Sequence, residues 1–147
     1  EYIYIDSEKM KTHKDSEKTV KVIAGKFNST EGPVNKHNVQ PLYFDVVLNK
    51  DKIFDFNLPE THNSFIYLIN GEIKVGEKKH EKITDSKLVL LTKGSKLIVE
   101  SLIKSNFLLI SGKPIGEKIA RGGPFVMNTK AEILEAINDY HNGTFVK

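Results

Sequence analysis

The sequence predicts an all-β fold, a sandwich or barrel of short strands, closed at the C-terminal end by one helix. Three observations carry this. Apolar residues alternate with polar ones in short runs, the period of a strand with one face on a core. Gly, Pro, Asn and Asp punctuate those runs at short intervals, which argues against an α/β sheet. One capping-box signature, Thr129-Lys130-Ala131-Glu132, precedes the single convincing helical pattern.

In chain order, residues 1–18 are polar and charged. They read as a linker or tether with a short extended start at residues 2–5. The domain proper is expected over residues 19–147. Its strand-like runs are 19–24, 42–48, 53–57, 64–69, 72–75, 87–91, 96–100 and 106–111. Turn signals separate them at Gly25, Gly32-Pro33, Asn49-Lys50-Asp51, Gly76, Lys93-Gly94-Ser95 and Gly112-Lys113-Pro114. Asn70-Gly71, flanked by apolar runs, predicts a two-residue type I′ hairpin, because both turn positions of that type need positive φ. A helix is expected at about 130–141, with Ile133, Ala136, Ile137 and Tyr140 on one face and Asn142-Gly143 as its stop. There is no internal repeat and no low-complexity tract.

Composition narrows the function classes. A chain of 147 residues with 39% apolar content suits one domain that buries roughly two-thirds of its unfolded surface. No apolar run approaches the ~18 residues of a membrane-spanning helix. The start, Glu1-Tyr2-Ile3-Tyr4-Ile5-Asp6, is too acidic for a signal peptide; it lacks Met, so processing or an upstream domain is allowed for. With no cysteine, disulfides, thiolate metal sites and thiol nucleophiles are excluded, which suits a reducing compartment. All but one of the 22 basic residues are lysines, and 19 acidic residues lie among them. Base reading favours the arginine fork, so a solvated surface is expected and not a nucleic-acid face.

The residues that carry chemistry are sparse. His13, His37, His62, His80 and His141 have no metal-pair spacing, and surface or capping roles are expected for them. His141 sits where a cation favours a helix C-terminus. No nucleophile elbow, phosphate loop or dinucleotide fingerprint occurs. Gly122-Gly123 leads into Pro124, which has no amide to donate to a phosphate. Asp45, Asp55 and Glu72 are expected to face outward from alternating strands.

The run Ile115-Gly116-Glu117-Lys118-Ile119-Ala120-Arg121-Gly122-Gly123-Pro124-Phe125-Val126-Met127-Asn128-Thr129 resembles the C-terminal signature of the pirin family. Similarity extends to Val20-Lys21-Val22-Ile23-Ala24-Gly25, Pro41-Leu42-Tyr43-Phe44-Asp45-Val46, the run from Phe65 to Glu72, Leu108 to Glu117, and an ending with Asp139-Tyr140, Gly143 and Phe145. The resemblance implies a cupin-type double-stranded β-helix barrel with one C-terminal helix, the second half of a bicupin protein. Family iron ligands, three His and a Glu, belong to the N-terminal cupin, so no catalytic and no metal residue is carried over and no cofactor is expected in this chain. Anchored on Gly71, the first cupin metal motif places Ser64 at its Glu position, with Leu58 and Glu60 or Asn57 and Pro59 at its His positions. Anchored on Gly94, the second places Thr92 at its Pro and Leu97 at its His.

What the resemblance implies for function is a metal-free cupin supporting an iron-binding, quercetin-type dioxygenase half. The alternatives are an interaction module of an iron-dependent transcriptional co-regulator and a stand-alone small-molecule-binding cupin. Arg121, Gly122, Gly123, Pro124, Phe125, Met127 and Tyr140 are the expected interdomain contact. Expected partners are the N-terminal cupin of the same protein and transcription factors, with no direct nucleic-acid or membrane binding, in an intracellular setting, cytoplasmic or nuclear.

Overall fold

A computed structural model describes residues 4–34, 38–76, 81–84 and 86–146. The chain forms two compact units, Glu1–Pro114 and Ile115–Lys147. Among the described residues no helix is long and apolar enough to cross a membrane.

The first unit is mostly strand: β1 (Thr12–Lys14), β2 (Lys18–Ala24), β3 (Lys26–Phe27), β4 (Thr30–Glu31), β5 (Leu42–Leu48), β6 (Ile53–Asn57), β7 (Asn63–Asn70), β8 (Glu72–Val75), β9 (Glu81–Thr84), β10 (Lys87–Leu90), β11 (Lys96–Ser101) and β12 (Ser105–Gly112). A six-stranded sheet runs β1-β2-β5-β12-β7-β10 and a four-stranded sheet β6-β11-β8-β9, every pair antiparallel. The expected cupin architecture is thus a sandwich of two sheets around one core.

Alternation decides which face is inside. On β5, Phe44, Val46 and Leu48 are fully buried; on β12, Phe107 and Leu109; on β7, Ile66 and Leu68. Phe54 on β6, Ile73 on β8 and Val99 on β11 meet them from the smaller sheet. The short β3–β4 hairpin supplies Phe27, which stacks on Phe54 at 5.6 Å and meets Phe44 edge-on at 5.7 Å. Each such side chain contributes about 1.5–3 kcal/mol on burial.

Two expectations change here. The stretch read as a tether is folded from Thr12 onward. Its turn is closed by the Asp15 carboxylate, which accepts from Glu17 N and Lys18 N at 2.8 Å each and so brings β1 against β2. Those two backbone bonds hold the Asp15 pKa down to about 2. Local composition is polar because the turn is built from side-chain–backbone bonds.

Asn70-Gly71 makes no hairpin. β7 lies in the six-stranded sheet and β8 in the four-stranded one, so this dipeptide carries the chain from sheet to sheet. Gly71 has φ +104°, whereas Asn70 is not among the positive-φ residues, so the type I′ requirement is unmet. The glycine serves a close approach: a Cβ there would lie 2.6 Å from Ser105 Cα. Ser105 Oγ accepts from Glu72 N at 3.1 Å and lies 2.8 Å from the Ile103 carbonyl, pinning the crossing.

The second unit holds β13 (Ala120–Gly122), β14 (Phe125–Met127) and α1 (Lys130–Asn142). The capping box is formed, with Glu132 N donating to Thr129 Oγ1 at 3.2 Å and Thr129 N to the Glu132 carboxylate at 2.7 Å. Gly143, with φ +70°, ends the helix.

Gly71→Ala is expected to destabilise the protein by about 3 kcal/mol, combining backbone strain and overlap with Ser105. Gly94→Ala, where a Cβ meets nothing within 4 Å, is expected to stay within about 0.5 kcal/mol. Urea unfolding midpoints compare the two; equal midpoints would refute the close-approach role of Gly71.

Candidate functional site

The closed end of the sandwich is where Asn70-Gly71 crosses. At the opposite end, loops 58–62 and 91–95 join the sheets and form a mouth. Leu58 N donates to Ser95 O at 2.9 Å, tying one loop to the other. Lys93 Nζ reaches the carbonyls of Thr61 and His62 and the Asn63 side chain, at 3.4, 3.0 and 3.0 Å. An open cleft of about 400 Å³ lies here, lined by Leu58, Val75, Val89, Leu91, Leu97 and Ile98, with Glu81 and Lys96 among its polar residues.

Leu58, a first-motif histidine position in one of the two registers, and Leu97, the second motif's histidine position, are buried and face this cleft. Ser64, at the motif's glutamate position, donates to Ser111 Oγ at 2.8 Å. Glu60, Asn57, Pro59 and Thr92 are exposed. At Leu58 and Leu97 the mouth thus offers aliphatic surface, with Glu81 the one carboxylate among the described lining residues.

His62 departs from the expected surface role. It is only 4% exposed, and its Nδ1 lies 3.1 Å from Ser111 Oγ. Nε2 of the same ring is buried and has no hydrogen-bond partner among the described residues. Burial pushes its pKa below 6.5, and the charges of Lys93 and Lys113 add to that. The signal for this was present in the sequence: 62 and 64 share the parity of Ile66 and Leu68, which face inward.

The other histidines behave differently. His13 packs edge-on against Phe27 at 5.2 Å and lies 3.3 Å from the Asp15 carboxylate. His141 is exposed in the last turn of α1. His37 and His80 lie outside the described residues. Of the three carboxylates expected to face outward, Asp55 pairs with Lys96 at 3.2 Å and Glu72 with Lys82 at 3.0 Å, while Asp45 Oδ1 is buried and has no donor among the described residues.

Within the second unit, the segment expected to contact another domain is a hairpin lying on its own helix. Gly122 sits where a Cβ would overlap the Ile133 side chain, and Gly123 turns the chain with φ +55° ahead of exposed Pro124. Phe125 lies 5.2 Å from Phe145 and 6.3 Å from Tyr140. Met127 is half-buried; Arg121, Val126 and Tyr140 are exposed. These residues do not converge on a pocket among the described residues.

Comparison with known proteins agrees with this geometry. The family described as Pirin C-terminal cupin domain matches residues 43–146. A pirin-like protein of Caulobacter vibrioides is 33% identical over 133 residues, covering 90% of this chain and 47% of its own length. Human pirin is 35% identical over 127 residues, covering 84% and 43%. A solved structure named as quercetin 2,3-dioxygenase from Acinetobacter baumannii superposes with a TM-score of 0.83 at 28% identity, over 96% of this chain and 49% of that one. KdgF from Halomonas sp. shares the fold alone, at TM-score 0.55 and 10% identity. The chain spans about half the length of the curated relatives that it matches.

With its folded pKa lowered, His62 stays neutral while the unfolded chain takes up a proton as pH drops below 6.5. The stability this group contributes is therefore present above 6.5 and lost as pH falls toward its folded pKa. Denaturation series between about pH 7 and pH 5 should show declining stability, with a shallower slope in His62→Asn. An NMR titration midpoint for His62 at or above 6.5 would contradict this.

Proposed function

Because the chain belongs to the pirin family, we propose that it is the metal-free C-terminal cupin of a two-cupin protein, supporting an iron site held by the other half. The observation that carries this reading is the aliphatic mouth: Leu97 stands at the second motif's histidine position, Leu58 at a first-motif histidine position in one of its two registers, and both line the cleft. Iron in such sites takes imidazole and carboxylate donors. The cleft lining supplies one carboxylate, Glu81, among aliphatic residues, and the imidazole of His62 is already bonded to Ser111, so the described residues offer no set of imidazole and carboxylate donors that fits an iron ion.

The whole protein would carry out dioxygenation of a flavonol-like substrate, a reading supported by the quercetin 2,3-dioxygenase name of the Acinetobacter structure. This chain's part is to bear on the neighbouring cupin and help exclude water from its site. Arg121, Met127 and Tyr140, with exposed Val126 and Leu134, are available for that contact from the second unit.

A second reading has its own observation. The 400 Å³ cleft falls in the size range of small-molecule pockets and is largely apolar, so the mouth could take a ligand without metal. Iron analysis and oxygen uptake with quercetin separate the readings. The intact gene product is expected to hold iron and consume oxygen, and the 147-residue chain to do neither. Stoichiometric iron on the 147-residue chain would overturn the first reading. Saturable quercetin binding by that chain, abolished in Leu97→Arg, would favour the second.

A further inference from the structure

The cleft at the mouth carries its charge unevenly. In the four-stranded sheet Ile73 lies opposite Ile83 and Val75 opposite Glu81, and such cross-strand partners share a face. Ile73 and Ile83 are buried and Val75 packs against the core, so Glu81 has the core-facing parity. It opens β9 and lines the cleft, exposed and in no ion pair among the described residues.

Lys96 is the opposite case. It also lines the cleft, but Leu97 and Val99 take the core-facing positions of β11, which leaves Lys96 on the outer parity. There its ammonium meets the Asp55 carboxylate at 3.2 Å. The cation at the rim is thus matched within the chain, and the carboxylate is left without a counter-charge among the described residues.

The walls are as selective as the rim. Leu58, Val75, Val89, Leu91, Leu97 and Ile98 make them branched and aliphatic, with no aromatic ring among the described lining residues. A flat polyphenol finds no ring to stack on there. An alkyl chain buries each of its methylenes against methyl groups, in a cleft of about 400 Å³.

We infer that the cleft takes an alkyl ammonium compound, with its aliphatic body between the sheets and its cationic head on the Glu81 carboxylate. This rests on the metal-free ligand reading above and names the class of ligand. Two opposite charges attract more strongly beside an apolar wall than in open water. An alkylamine is protonated at neutral pH, as a lysine side chain is. An inward charge on an edge strand such as β9 also deters pairing with other chains, a role that sets no order among ligands.

Probes that share one alkyl chain isolate the head group: octylamine, octanol and octanoate. Each is titrated at neutral pH and low salt into the intact gene product and into its Glu81→Gln variant, with the methyl NMR signals of Leu58 and Leu97 reporting occupancy. Octylamine is expected to bind about threefold or more tighter than octanol, and octanoate to bind weakest. Glu81→Gln is expected to bring octylamine level with octanol and to leave octanol unchanged. Equal affinities for octylamine and octanol in the native sequence, or a preference that survives Glu81→Gln, overturn the inference and leave the ligand reading standing. A preference for octanoate overturns it in favour of Lys96 as the head-group contact. If neither these probes nor quercetin move the Leu58 and Leu97 signals, the inference and the reading beneath it both fall.

Discussion

Two buried serine hydroxyls at the closed end of the sandwich hold the rest of the first unit in place. Ser101 and Ser105 flank the β11–β12 connection and are 0 and 1% exposed. Ser101 Oγ bonds the Asn49 carbonyl and accepts from Lys52 N, fixing the passage from β5 to β6. Ser105 does the same for the passage from β7 to β8 at Gly71. Each passage moves the chain between sheets, where backbone polar groups lose their ladder partners and need others. The serines supply them, and the space between the sheets is left to Phe27, Phe44, Phe54, Phe107 and their aliphatic neighbours.

The mouth at the other end has polar ties of its own, Lys93 to the carbonyls of Thr61 and His62 and Ser64 to Ser111. Here it is lined by leucine and valine, with one buried imidazole held by Ser111. The frame of the fold is thus separable from the side chains that line its mouth, as expected when function resides in sites grafted onto a fold.

Much of the fold was legible because one period recurs. Residues 42–48 and 53–57 form the strands that their alternation predicts, and Thr129 with Glu132 starts the helix where the capping box places it. Asn70-Gly71 misled because the dipeptide specifies permissive backbone, and only the distant Ser105 decides whether it closes a hairpin or crosses between sheets. β1 and the β3–β4 hairpin were hidden because their pairing depends on the Asp15 turn and on Phe27 reaching the core. His62 looked like a loop residue; its burial depends on Ser111, far along the chain. The apolar run of the signature was legible as distinctive, and in the structure Phe125 rests on Phe145 and Tyr140 of its own unit.

On the proposed reading this chain is one half of a larger protein, with the frame on this side and the chemistry on the other. The most direct test is the intact mass of the native protein isolated from its source cells with an antibody against this chain. A single polypeptide of about twice this length is expected, in keeping with the 47% and 43% of the Caulobacter and human relatives that the chain covers. A native species at 16.6 kDa would contradict it and turn attention to the apolar mouth as a site in its own right.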